Sequence, residues 1–157
     1  MNMTDYLRRA NEIARKAREE GNTPFGAVLV GPDGTILMEQ GNAEHELGDA
    51  TAHAEMTLAS RASRAYSKEF LKQCTLFTTC EPCPMCSGGI YWSNIGRCVY
   101  GITEKRLLEL TGSNELNPTF SMGADKVFAA GQKDIALEGP FSEVEEEIVE
   151  VHRGFWD

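Results

Sequence analysis

Thr75-Leu76-Phe77-Thr78-Thr79-Cys80-Glu81-Pro82-Cys83-Pro84-Met85-Cys86 is the stretch that decides the architecture. Thr75 to Thr79 reads as a strand. A helix starts near Cys83, with Pro84 in its first turn, where a missing N–H costs nothing. Gly88 and Gly89 would weaken that helix by about 1 kcal/mol each relative to alanine, so a close neighbouring backbone is expected there. Downstream, Arg97 to Gly101 is a further strand, Thr103 to Leu110 a short helix and Thr111 to Gly123 irregular. Val127 to Ala129 and Asp134 to Leu137 are weaker strand candidates. Ser142 and Glu145 have capping-box spacing, and Phe141, Val144, Ile148 and Val149 give a last helix one apolar face.

Upstream, Thr51 or Ala52 opens a helix running to about Tyr66. Phe25 to Val30 is continuously apolar, as in a strand covered on both faces. Gly31-Pro32-Asp33-Gly34 turns into a second hairpin arm, Thr35 to Gln40. Tyr6, Ala10, Ile13, Ala14 and Ala17 recur at helical spacing, with Thr4 or Asp5 as the cap and Gly21 as the stop. Helix, hairpin, then alternating helices and strands predict a layered α/β domain.

The chain has 157 residues and a formal net charge of −9. Residues 1–100 carry 10 basic and 12 acidic groups, and residues 101–157 carry 5 and 12. Such an acidic C-terminal third opposes binding to phosphate backbones, so nucleic acid is not the expected partner. No apolar run reaches the roughly 18 residues of a membrane span, and the polar start has no apolar leader. The five cysteines, Cys74, Cys80, Cys83, Cys86 and Cys98, are an odd number. That count argues for reduced thiols and a cytoplasmic location. Cys74 and Cys98 fall on predicted strands as small buried residues. His45 and His152 read as solvated.

His53-Ala54-Glu55 stands about 30 residues before Pro82-Cys83-Pro84-Met85-Cys86, each at a predicted helix start. Cysteines at i and i+3 face one way, and one imidazole completes a set of three ligands. Three protein ligands leave the fourth tetrahedral position open for water, the hallmark of catalytic zinc. Helix N-termini favour the thiolates. Glu55 is placed to reach the water. A structural site built from Cys80, Cys83 and Cys86 with Cys74 or Cys98 would leave His53-Ala54-Glu55 unexplained.

His-x-Glu followed by Pro-Cys-x-x-Cys is the zinc deaminase signature. The chain resembles the cytidine-deaminase-like superfamily. Thr23-Pro24-Phe25-Gly26-Ala27, Thr51-Ala52-His53-Ala54-Glu55 and Cys80 to Cys86 followed by Ile90-Tyr91-Trp92 look most like bacterial guanine deaminases. The resemblance covers roughly residues 5–101. It implies a three-layer α/β/α sandwich with a central mixed five-stranded sheet, and one domain over 1–157. It also implies one zinc ion per chain on His53, Cys83 and Cys86, with Glu55 as proton shuttle. The substrate would be a nucleobase, guanine first, with Asn42 pairing to the base edge, the backbone near Ala54 steadying the site, and Phe25 and Trp92 packing on the ring. A homodimer is implied too, with residues 140–157 a C-terminal helix and tail whose Phe155 and Trp156 close the pocket, exchanged between subunits. Where the resembling enzymes carry an aspartate after the fourth strand, this chain reads Gly112-Ser113-Asn114-Glu115-Leu116-Asn117-Pro118, which makes Glu115 the candidate acceptor for ring N–H groups. Cytosine, guanosine, cytidine or a tRNA adenosine remain alternative substrates for the same chemistry.

Overall fold

The computed structural model describes all of residues 1–157. Its centre is a five-stranded sheet in the order β2-β1-β3-β4-β5, formed by β1 Gly26–Val30, β2 Ile36–Gly41, β3 Thr75–Cys80, β4 Arg97–Ile102 and β5 Ala136–Glu138. β1 runs antiparallel to β2 and β3, whereas β3, β4 and β5 are mutually parallel. Successive side chains of β1 divide between the two faces. Ala27 and Leu29 join one core with Leu58 of α3 (Ala54–Ala65), Ile90 of α5 (Pro84–Ser93) and Phe128 of α7 (Ala124–Ala129). Val28 and Val30 join the other with Leu7 of α1 (Met3–Glu19), Leu107 of α6 (Glu104–Thr111) and Ile148 of α8 (Ser142–His152). Helices thus cover both faces, and a mixed sheet is sandwiched between them. The one-turn helices α2 (Glu44–Leu47) and α4 (Lys68–Leu71) lie on the connections.

Two glycines set the spacing of these layers. A Cβ on Gly26 would lie 2.2 Å from the Ala10 carbonyl oxygen, so only glycine lets α1 lie this close to β1. A Cβ on Gly89 would meet the Met56 sulfur at 2.6 Å, which explains a helix-weakening residue where α5 packs on α3. The expected close neighbour is therefore a side chain of α3. Gly88 faces open space.

Several local expectations need correction. Asn2, not Thr4 or Asp5, caps α1, in a reciprocal capping box with Asp5. Val127 to Ala129 belongs to α7, because Ala124 and Phe128 at i and i+4 bury one helical face. Ser142 is the first helical residue of α8 and its side chain bonds Glu143, so the spacing with Glu145 makes no capping box. The second strand candidate survives, shifted to Ala136–Glu138. Cys74 and Cys98 are buried as read, but His152 is buried rather than solvated.

Candidate active site

His53 is the N-cap of α3 and Cys83 the N-cap of α5, so both side chains project beyond helix N-termini. Cys86 follows one turn into α5. The ligating atoms of His53, Cys83 and Cys86 all lie within 4.8 Å of one another, with His53 Nδ1 at 3.7 Å from Cys83 Sγ. A tetrahedral zinc with Zn–S near 2.3 Å and Zn–N near 2.0–2.1 Å requires donors separated by roughly 3.5–3.8 Å. Small side-chain rotations close that gap, and the donor set of two sulfurs and one imidazole suits zinc.

The electrostatics agree with a cation site. The Cys83 thiol is lowered to about 4, first by a hydrogen bond from Cys86 and then by His53. Cys86 is pushed up by the same shared proton and by burial. The pair holds one thiolate ready, and its second proton would be displaced to solvent when a metal binds. On the far side of the imidazole, Glu44 Oε1 lies 3.5 Å from His53 Nε2, where a carboxylate steadies the ring that offers Nδ1 to the ion. Cys80, by contrast, stands apart from the tripod. Its buried thiol lies 3.9 Å from His152 Nε2 and is pushed well up by burial.

These groups open onto a cavity of about 450 Å³. Its wall includes five glutamates, Glu44, Glu55, Glu81, Glu104 and Glu115, and no lysine or arginine. Each has a different environment. Glu55, on the first turn of α3, is only 6% exposed, and burial followed by the Cys83 charge raises it to about 7. Glu81 is consumed structurally: Oε1 accepts the Glu104 N–H at 2.9 Å and Oε2 the Ala124 N–H at 2.8 Å, tying together the starts of α6 and α7. Glu104 is 4% exposed and its Oε2 has no hydrogen-bond partner. Glu115 is exposed, in the segment Glu115 to Phe120 that forms one edge of the cavity.

The remaining candidates divide. Asn42 and Phe25 line the cavity. The Asn42 amide is half committed, since Nδ2 donates to Glu44 Oε1 at 2.8 Å and Oδ1 accepts the Glu44 N–H at 3.0 Å, leaving one N–H and one lone pair. Ala54 is fully buried at the start of α3, outside the cavity lining. Trp92 does not reach the cavity: it is 73% exposed on α5, against Tyr91 and near Lys133. Phe155 and Trp156 do not line it either. Trp156 is buried behind Phe25, donates Nε1–H to His152 Nδ1 at 3.0 Å, and accepts the Asn114 Nδ2–H on its carbonyl at 2.9 Å. Phe155 stacks on Trp156 beneath Arg18. The tail is thus a buttress behind the cavity wall, docked on its own chain.

Sequence reading missed Glu44, Glu81 and Glu104. For Glu104 a signal existed. It is the first residue of a helix capped by Thr103, immediately past the C-terminal end of a parallel strand, where open α/β sheets place their ligands.

Residues 1–102 match the cytidine and deoxycytidylate deaminase zinc-binding region. The probable cytosine deaminase of Schizosaccharomyces pombe is 36% identical over 152 residues, covering 97% of this chain and 91% of that protein. The guanine deaminase of Bacillus subtilis is 44% identical over 94 residues, 59% of this chain and 60% of that one. A solved structure from work on tRNA:A34 deaminases superimposes with a TM-score of 0.71 at 31% identity, over 94% of this chain and 99% of the other.

Proposed function

The chain belongs to the cytidine and deoxycytidylate deaminase zinc-binding family, hydrolytic enzymes acting on C–N bonds in cyclic amidines, and we propose that residues 1–157 form one domain that deaminates a free nucleobase, guanine first, to xanthine. The carrying observation is the make-up of the cavity wall, rich in carboxyl groups and free of cationic side chains. Five glutamates without a lysine or arginine disfavour a phosphate and favour a small ring rich in N–H donors. Guanine has such a ring.

Zinc held by His53, Cys83 and Cys86 supplies a Lewis acid that lowers the pKa of water to roughly 7. The chain's own groups do the rest. Glu55, poised near 7 by burial, takes a proton from the attacking water and passes it to a ring nitrogen, then takes the second proton from the added hydroxyl and delivers it to the departing amine. Asn42 offers its remaining N–H and lone pair to the base edge, and Phe25 its ring face. Glu115 accepts a ring N–H at the mouth of the cavity. The start of α3 at Ala54 fixes Glu55 relative to the tripod. Trp92, exposed one turn from the open Gly88, supports pairing of two copies through α5 as a homodimer.

The near full-length likeness to a probable cytosine deaminase favours cytosine as a second reading. An ammonia-release screen over guanine, cytosine, adenine, guanosine, cytidine and aminated triazines and pterins decides between them. Guanine is expected to turn over fastest. Glu55→Ala should keep its zinc and lose about 10²- to 10⁴-fold in turnover, the usual worth of a positioned acid–base group. Silence on every free base, with tight salt-sensitive binding of tRNA in a gel-shift assay, would overturn the free-base reading.

A further inference from the structure

Four of the five glutamates around the cavity have evident tasks. Glu55 lies beside the tripod, Glu44 faces His53, Glu81 ties two helix starts, and Glu115 sits at the rim. Glu104 has none. It is a buried carboxyl group on the cavity wall with an oxygen that nothing in the chain satisfies. Such a group is costly to keep, since a buried polar atom without a partner carries its full desolvation penalty. Its environment makes the cost larger, because the charges of Cys83, Glu55 and Glu81 all oppose its ionisation. An apolar side chain of similar length would fill the place more cheaply. Expensive groups of this kind concentrate where they meet a ligand.

We propose that Glu104 contacts the substrate, pairing its carboxyl group with a lactam edge, a ring N–H beside a ring carbonyl, and thereby selecting oxo-bearing aminated bases over purely amino ones. The inference rests on the free-base reading and deepens it. A neutral carboxylic acid offers one O–H donor and one carbonyl acceptor side by side, the complement of such an edge. Burial, ahead of the neighbouring charges, raises Glu104 to about 8, which favours the neutral form. Guanine presents a lactam edge at N1–H and its carbonyl, away from the amine on C2 only by one bond. Cytosine presents one at N1–H and its carbonyl. Adenine has no ring carbonyl and is excluded by the same chemistry. Glu104 lies within electrostatic reach of both Cys83 and Glu55, as a residue holding the ring over them must.

Two variants of similar volume test this, with zinc content and thermal melting measured for each. Glu104→Gln keeps one donor and one acceptor, whereas Glu104→Met removes both and relieves the burial cost. Steady-state kinetics are run on whichever of guanine or cytosine the wild type deaminates. Equilibrium dialysis of that same base is run on the same variants in the Glu55→Ala background. Glu104→Met should raise KM and weaken binding by about tenfold or more, with kcat less affected, while melting no lower than wild type. Glu104→Gln should stay within about threefold of wild type, because it restores the paired contact. Unchanged KM and binding in Glu104→Met would overturn the proposal, as would equal losses in both variants, which signify a purely ionic contact. A wild type that releases ammonia from no free base would instead remove the reading beneath it.

Discussion

Residues 1–102 and residues 103–157 line one cavity by different means. The first part sets His53 and Cys83 at the ends of two helices that follow loop and strand, with Cys86 one turn on. Those helices pack on each other through Gly89 and on the sheet through Leu58 and Ile90, so the donor atoms inherit the rigidity of the core. The second part lines the cavity with Glu104 and Leu107 of α6 and with the irregular run Glu115 to Phe120. Local bonds hold that run, from Thr111 to Thr119 and from Asn117 to Thr119, and Asn114 ties it to the carbonyl of Trp156. Fixed elements hold the metal tripod and Glu55, and a loop pinned by the tail completes the cavity wall. Such a division would let related chains share a metal site while differing in what they bind.

The largest effect should come from the rigid part. Cys83→Ala removes a ligand and the thiolate that anchors the tripod, so zinc per chain, measured by elemental analysis, should fall with turnover to background. A variant that kept both would break the assignment of chemistry to this region. A truncation after Arg153 should do the opposite. It deletes Gly154-Phe155-Trp156-Asp157, taking away the support behind Phe25 and the acceptor for Asn114, but touches no ligand. Zinc content should stay normal while kcat/KM drops about tenfold, mainly through KM, as displaced positioning groups typically cost. Unchanged kinetics would mean that the recognition wall stands without the tail.

The same division explains what could be read from the residues alone. Ligand spacing within one helical turn, a proline at a helix start and an apolar β1 are local features, and the tripod, the first four strands and the place of Glu55 on the cavity wall were legible from them. What depended on long-range packing was not. Trp92 resembles a ring-stacking residue by its place after the zinc motif, yet its helical phase points it away from the cavity. Val127 to Ala129 carries β-branched and aromatic residues, but the burial of Ala124 and Phe128 makes it a helix. His152 looks solvated in an acidic terminal helix, and only the fold reveals that α8 turns it inward onto Cys80 and Trp156. For Glu104 the position just past a parallel strand marks the right neighbourhood, but only the packing separates a helix-starting glutamate that enters a cavity from one that faces water.

The smallest expected effect sharpens the role of that buttress through His152. Burial, aided by the Arg18 charge, lowers this imidazole from 6.5 to about 4. The neutral ring accepts the Trp156 Nε1–H on Nδ1 and turns Nε2 toward the Cys80 sulfur, while Arg18 holds the Val151 and Arg153 carbonyls beside it. A depressed folded value means that the unfolded chain takes up the proton first. The contribution of neutral His152 is therefore complete above pH 6.5 and is lost progressively as pH falls toward 4. Between pH 7 and pH 5 the loss amounts to about 2 kcal/mol. His152→Gln, which cannot titrate, should lack this component, so urea midpoints of the two proteins should converge as the pH falls, with any loss of zinc common to both. Parallel pH dependences would show that His152 is not buried in its neutral form, and would separate the tail from the wall it is held to support.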